Sequence, residues 1–221
     1  MALPADDPDL GGKVEGIRTG TPLSPGTYSN FSKLATSFGA PLKIMSVAES
    51  YFLRSEGVLR GWSMGGGSAQ SFYEDGVKAS FSEYGAGGVD SYLADATSTP
   101  AAYIDPKNPA NNAPPLSNIT VKWNDGDPME RKLERIITQK WIAIYPEGYE
   151  GWAEFRRTGY PHQYPITKND SQGKVAAGDF VKRMPYSGTF TNASKAQVDA
   201  AVAKEFGGDD SAGKRLWWDV N

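Results

Sequence analysis

Seven glutamates have the right type for chemistry: Glu49, Glu56, Glu130, Glu134, Glu147, Glu150 and Glu154. Two carboxyl groups at the right separation suffice for glycoside hydrolysis, and spacing along the chain does not fix that separation. Arg54, Arg60, Arg135, Arg156 and Arg157 are interleaved with them, so ion pairing is the plain reading. Glu154 with Arg157, three residues apart on one short helix, is the simplest such pair. Arg156-Arg157 reads as a structural brace rather than a substrate clamp. A serine–histidine–acid triad would have to use His162, the single histidine. One imidazole excludes a histidine zinc site, and the lack of cysteine excludes disulfides, thiolate metal sites and cysteine nucleophiles. Gly65-Gly66-Gly67 precedes a helix whose amides could hold an anion. No lysine follows as a phosphate loop requires, so it reads as a tight turn. Asp6, Asp7 and Asp9 cluster like calcium ligands, but their spacing does not match a calcium loop, and a solvated Asx turn accounts for them. The expectation is no catalytic constellation, no metal and no cofactor.

Sugar binding needs other parts. Aromatic faces stack on pyranose rings while nearby polar groups reach the hydroxyls. The chain holds 6 Trp, 11 Tyr and 9 Phe. Loop aromatics are the candidates, because those on a scaffold are consumed by packing. They are Trp62 after a helix end, Trp123 and Tyr103 in a long connection, and Tyr92 near its start. Burial as a core anchor is the competing reading for each. Trp141, Trp152, Trp217 and Trp218 are assigned to packing, the last two as a buried lock on the chain end.

Helices must position these residues. Residues 127–161 carry two. Asp127 is the expected N-cap, Pro128 the first helical residue, and Glu130 can reach back to the cap amide. Leu133, Ile136, Ile137, Trp141 and Ile144 form one apolar face, with Lys132, Glu134, Arg135 and Gln139 mostly off it. A short second helix holds Trp152 and Phe155 and ends at Gly159 and Pro161. Upstream, Leu42–Arg60 reads as a helix with Ile44, Ala48, Tyr51, Phe52, Ser55, Val58 and Leu59 on its buried stripe. A third helix, Ser68–Tyr84, follows across a short glycine loop and makes an antiparallel αα-hairpin. Residues 1–40 read as an irregular lead-in. Residues 85–126 form a long connection, with helical turns at Val89–Ala94 and short extended pieces at 103–105 and 119–123. Residues 162–221 are loops, an extended piece around Lys182–Tyr186, and a helix from Lys195 to Phe206 capped by Ser194. The fold class is mainly α, built of tetratricopeptide-like hairpins with long irregular loops.

The bulk numbers agree. A chain of 221 residues can bury a real core as one region. Its 26 acidic and 23 basic residues form no long run of either sign, so nothing favours nucleic acid or an anionic membrane. The 25 glycines and 15 prolines imply extensive loops. No apolar run approaches a membrane span, and Met1-Ala2-Leu3-Pro4 does not read as a signal peptide.

Three stretches carry a family resemblance: ITQKWIAIYPEGYEGWAEFRRTGYP, PLKIMSVAESYFLRSEGVLRGW, and RMPYSG with GGDDSAGKRLWWD near the end. The chain resembles the SusD/RagB family, most closely its SusD-like branch. The resemblance implies an α–α superhelix and a lipoprotein on the outer-membrane surface. It also implies capture of glycan or another nutrient, with a SusC-like TonB-dependent transporter as partner. The family is usually longer and carries a lipid-bearing cysteine that this sequence lacks. The chain therefore reads as the C-terminal part of such a protein, tied to the membrane only through an anchor outside it. The expected role is non-enzymatic oligosaccharide binding. The alternatives are a helical scaffold that docks on the transporter with little ligand affinity of its own, and a glycoside hydrolase.

Overall fold

The computed structural model describes residues 5–7, 10–24, 26–34, 39 and 43–219. Two compact units emerge, one from residues 1–17 and 25–163, the other from 18–24 and 164–221. Among the described residues the regular structure is helical; extended pairing takes the form of isolated bridges, such as Tyr103 with Ala113 and Ile166 with Gly178.

In the larger unit, α1 (Val47–Leu59) and α2 (Ala69–Tyr84) form the expected hairpin. The Ser46 side chain caps α1 by accepting from the Glu49 amide, so the helix starts later than Leu42, which lies outside the described residues. Ile44 consequently sits ahead of the helix and is exposed rather than on its buried stripe. Ser68 and Ser71 form a reciprocal capping box on α2, and Gly85 ends it in the left-handed conformation, φ 64°. The hairpin closes tightly at Gly76, where an added Cβ would lie 2.8 Å from the Phe52 ring.

The connection holds α3 (Val89–Ala94), as expected, and a 3₁₀ turn at Pro109–Asn111. Residues 119–123 form no strand; Ile119 and Trp123 instead drop into the interior. Buried Asp105 organises a polar knot, accepting from Asn111 Nδ2 (2.8 Å), the Tyr28 hydroxyl (2.9 Å) and the Lys107 and Asn108 amides. Asp7 pairs with Lys107 at 2.9 Å and Asp6 with Lys33 at 3.4 Å; Asp9 is outside the described residues.

Helix α4 (Met129–Ala143) lies at the centre of this unit. Leu133, Ile136, Ile137 and Ala143 join Ala48, Phe52, Tyr73, Val77 and Trp123 in one core. Two expectations fail here. The N-cap is Pro128, with no side-chain bond, because the Asp127 carboxylate is taken by Arg135 Nη2 at 2.8 Å. And α4 is enclosed beyond its apolar stripe: Glu134, Arg135 and Gln139 are buried, each with a polar partner, whereas Trp141 is partly exposed beside Gly151. The chain leaving α4 is bonded from α2, where the Tyr84 hydroxyl donates to Tyr145 O and lies 3.3 Å from Ala143 O, the last residue of α4. Helix α5 (Gly148–Thr158) follows and ends at Gly159 with φ 76°.

In the smaller unit, α6 (Gly188–Ala193) leads into α7 (Lys195–Phe206), with the expected bounds. Ser194 occupies the cap position without a side-chain bond. Buried Arg183 stacks on Phe206 at 4.1 Å and pairs with Asp210 at 2.5 Å, which tucks Lys182 and Arg183 down; Met184 and Tyr186 are exposed, so the expected tucking of 182–186 stops at Arg183. Trp217 overturns the reading of a buried terminal pair: it is 90% exposed, and Trp218 is half-buried.

Candidate functional site

Four of the seven candidate glutamates, Glu49, Glu56, Glu150 and Glu154, converge on basic partners. Lys140, its side chain 1% exposed, places Nζ 2.9 Å from Glu150 Oε1, 2.9 Å from Glu154 Oε1 and 3.4 Å from Glu49 Oε1. Arg157 donates to both oxygens of Glu56 at 2.6 and 2.7 Å and to Glu154 Oε2 at 2.6 Å. Arg60 adds a bond to Glu56 at 2.7 Å. The result is one network across α1, α4 and α5.

The electrostatics follow from the packing. Burial pushes the Lys140 ammonium down, but Glu154 and Glu150 outweigh it and the net shift is upward. Burial pushes Glu56 up, yet the bidentate Arg157 and then Arg60 hold it below the usual glutamate range. Glu49 is raised, chiefly by burial, with Lys140 opposing and Glu150 adding to the rise. Glu150 is lowered, because its bond to Lys140 overcomes its own desolvation. Glu154–Arg157 is the pair anticipated from spacing. Lys140 was missed, although a lysine three and four residues after Ile137 and Ile136 stands on the apolar stripe, itself a signal of a buried partner. Arg156 stacks over Trp152 at 3.6 Å, so both basic residues of the pair brace the fold. His162 is exposed, edge-on to Tyr160.

The four candidate ligand aromatics occupy different settings. Trp62, in the α1–α2 connection, is 62% exposed. Trp123 is 7% exposed, tilted against Tyr73 at 5.4 Å, with its indole N–H bonded to Asp125 at 2.8 Å; its setting is the core. Tyr103 is half-buried in the Asp105 knot, where its hydroxyl approaches Asp105 Oδ2 at 3.5 Å. Tyr92 is half-buried, packs on Phe81 at 5.1 Å and bonds Gln139 through its hydroxyl.

Tyr92 and Gln139 also line a cleft of about 200 Å³ with Pro100, Ile119, Val121 and Ile142. Its volume is below the roughly 300 Å³ at which pockets for drug-sized ligands begin. Arg135 is part of the wall; Nε donates to Thr120 O at 3.0 Å and Nη2 to Asp127, while Nη1 has no partner among the described residues. The cleft was not legible in the sequence, since its walls come from three separated segments. Trp141, Ile142, Tyr145 and Tyr149 add exposed apolar surface at the α4–α5 corner. Among the described residues no cluster of three or more potential metal ligands occurs, and no helix is long and apolar enough to cross a membrane.

A family model described as SusD-like, Susd and RagB outer membrane lipoprotein, matches residues 1–219. A SusD-like protein from Bacteroides thetaiotaomicron is 43% identical with a TM-score of 0.91, over 100% of this chain and 46% of that one. A chitin-binding SusD homologue from Flavobacterium johnsoniae is 42% identical, with a TM-score of 0.88 over 100% of this chain and 45% of that one. A homologue from Bacteroides vulgatus is 35% identical, with a TM-score of 0.90 over 100% and 45%. The chain thus spans about half the length of these solved structures. No curated protein matches it.

Proposed function

The chain belongs to the SusD-like family of SusD and RagB outer-membrane lipoproteins, and on that premise we propose that it takes part in capturing oligosaccharide at the cell surface for delivery to a TonB-dependent transporter of the SusC type. The observation that carries the reading is the likeness, over the whole chain and at 42% identity, to a homologue that binds chitin. N-acetylated glucosamine oligomers are therefore the first ligands to test. Capture without chemistry accords with the glutamates. Glu49, Glu56, Glu150 and Glu154 are committed to Lys140, Arg157 and Arg60. A pair held this way is not poised as acid and nucleophile.

Trp62 is the predicted aromatic with an open face, and Tyr92 presents itself through the cleft beside Gln139. We assign ligand contact to these two and packing to Trp123. The test is a glycan array followed by calorimetry, with Trp62→Ala and Tyr92→Ala alongside. Saturable binding that falls at least tenfold in either variant supports the reading. Turnover of a glycan by the purified chain would overturn it. A second reading, a scaffold that docks on the transporter, is favoured by the exposed α4–α5 corner of Trp141, Ile142, Tyr145 and Tyr149. It predicts that substitutions there weaken transporter association and leave glycan binding unchanged.

A further inference from the structure

Resting on the glycan-capture reading for the class of ligand, we infer that the cleft between α3, α4 and the connection joining them is a subsite for the acetamido group of an N-acetylated sugar, with Arg135 Nη1 as the donor to its carbonyl oxygen. Arg135 is 2% exposed and forms part of the cleft wall. Its Nε donates to Thr120 O at 3.0 Å and its Nη2 to Asp127 Oδ2 at 2.8 Å. Those bonds fix the planar fork, and Nη1 is left buried with no partner among the described residues. Buried polar groups are nearly always paired, so an orphaned donor in the wall of a cleft marks a place for an outside acceptor.

Charge decides what kind of acceptor fits. No other described residue of the lining is charged. The Asp127 carboxylate, at 2.8 Å, already neutralises the guanidinium. What Nη1 lacks is therefore an acceptor and not a counter-charge. A second anion would be taken out of water with no cation left to match it, whereas a neutral oxygen carries no such cost.

The wall around the donor selects further. Pro100, Ile119, Val121 and Ile142 are apolar, and Gln139 and the Tyr92 hydroxyl complete each other at 2.9 Å. A sugar hydroxyl would bring a donor of its own against this wall. A carbonyl oxygen brings none, and the methyl beside it displaces water from the aliphatic side chains. The acetamido group carries both on one carbon. Its four heavy atoms, each given the roughly 30 Å³ that a water takes in the liquid, need about 120 Å³ of a cleft of about 200 Å³. Ile142 is 47% exposed and puts the cleft at the surface, so the amide N–H and the sugar ring can stay in water.

The test is an NMR titration of the full chain labelled at its Ile and Val methyls, followed by calorimetry. The probes are the tetramer of N-acetylglucosamine, cellotetraose with hydroxyls in place of the acetamido groups, N-methylacetamide, and acetate. The N-acetylated tetramer should shift the Ile119, Val121 and Ile142 methyls saturably and bind about tenfold more tightly than cellotetraose. N-methylacetamide should shift the same methyls, and acetate should do so no better. Arg135→Lys keeps the charge beside Asp127 but gives up the second terminal nitrogen. Thr138→Phe fills the cleft from α4 and leaves the arginine in place. Both should lose the preference, with melting curves reporting that each folds. If the N-acetylated tetramer binds without moving these methyls, or the two tetrasaccharides bind equally, the subsite is overturned and glycan capture stands. If neither tetrasaccharide binds, capture fails and N-methylacetamide decides the cleft alone: saturable shifts support it, and their absence overturns it. Stronger shifts with acetate would overturn the neutral acceptor.

Discussion

Replacing Lys140 with Met tests whether the charged network holds the helices together. The side chains are of similar length, so packing is nearly conserved and the change is one of charge. Removing one partner of a buried pair costs about 3–5 kcal/mol, because the other charge stays behind without compensation. The structure places the expected loss at the lower end. Glu154 keeps Arg157, and partly exposed Glu150 can turn to water, so Glu49 alone is stranded. A loss of about 3 kcal/mol corresponds to a fall in Tm of roughly 6–12 °C for a chain of this size. The assay is thermal unfolding followed by tryptophan fluorescence at pH 7 and pH 4. The deficit should shrink at pH 4, where the carboxylates take up protons and no longer need the ammonium. A second substitution, Glu49→Gln, should restore part of the loss by removing the stranded charge. A Tm within about 2 °C of wild type at pH 7, for a change expected to cost several kcal/mol, would refute the account.

Gly76→Ala and Gly57→Ala should differ although both glycines are inside helices. At Gly76 the new methyl meets the Phe52 ring at 2.8 Å in the packed hairpin, so a loss of about 1–3 kcal/mol is expected by denaturant unfolding. At Gly57 it meets the Met64 side chain at 2.6 Å, which can move aside, and the gain in helix propensity of about 1 kcal/mol offsets the contact. Trp123→Ala should cost about 3–5 kcal/mol in the same assay, whereas Trp62→Ala should stay within about 0.5 kcal/mol and be read instead in glycan binding. Glu56→Gln should flatten the acid limb of the stability curve. Its depressed carboxyl gives stability that is present above 4.5 and lost as pH falls through the shifted value, so the variant should lose less between pH 5 and pH 3.

Local chemistry made most helices legible. Ser68 and Gly85 bracket α2, Gly159 ends α5, and Gly207 ends α7, each through a cap that a few neighbouring residues specify. What sequence reading missed depends on distant partners. Asp127 looks like a cap until Arg135, eight residues on, takes its carboxylate. Arg135 and Gln139 look like surface until the connection folds over them, offering the Thr120 carbonyl and, from α3, the Tyr92 hydroxyl. Trp123 sits in a loop by local pattern, yet Tyr73 and the α4 apolar residues receive it. Exposure at a chain end is equally non-local, and Trp217 shows the reverse error. The cleft beside Tyr92 needed all three of its segments in place before it existed.

The connection between α3 and α4 has one more implication. Residues 96–102 are all exposed, while the helices on either side share one core. Opening the chain there would loosen the Pro100 wall of the cleft but leave the helix–helix core in place. The first piece would carry Glu49, Glu56, Phe52 and Tyr73; the second would carry Lys140, Arg157, Trp123 and the α4 apolar face. Glu49 would lose Lys140, Glu56 would lose Arg157, and neither piece could cover its own apolar side, so each is a template for the other. The larger unit is in this sense a heterodimer that happens to be encoded as one strand, and two separately expressed pieces would serve as a complementation pair.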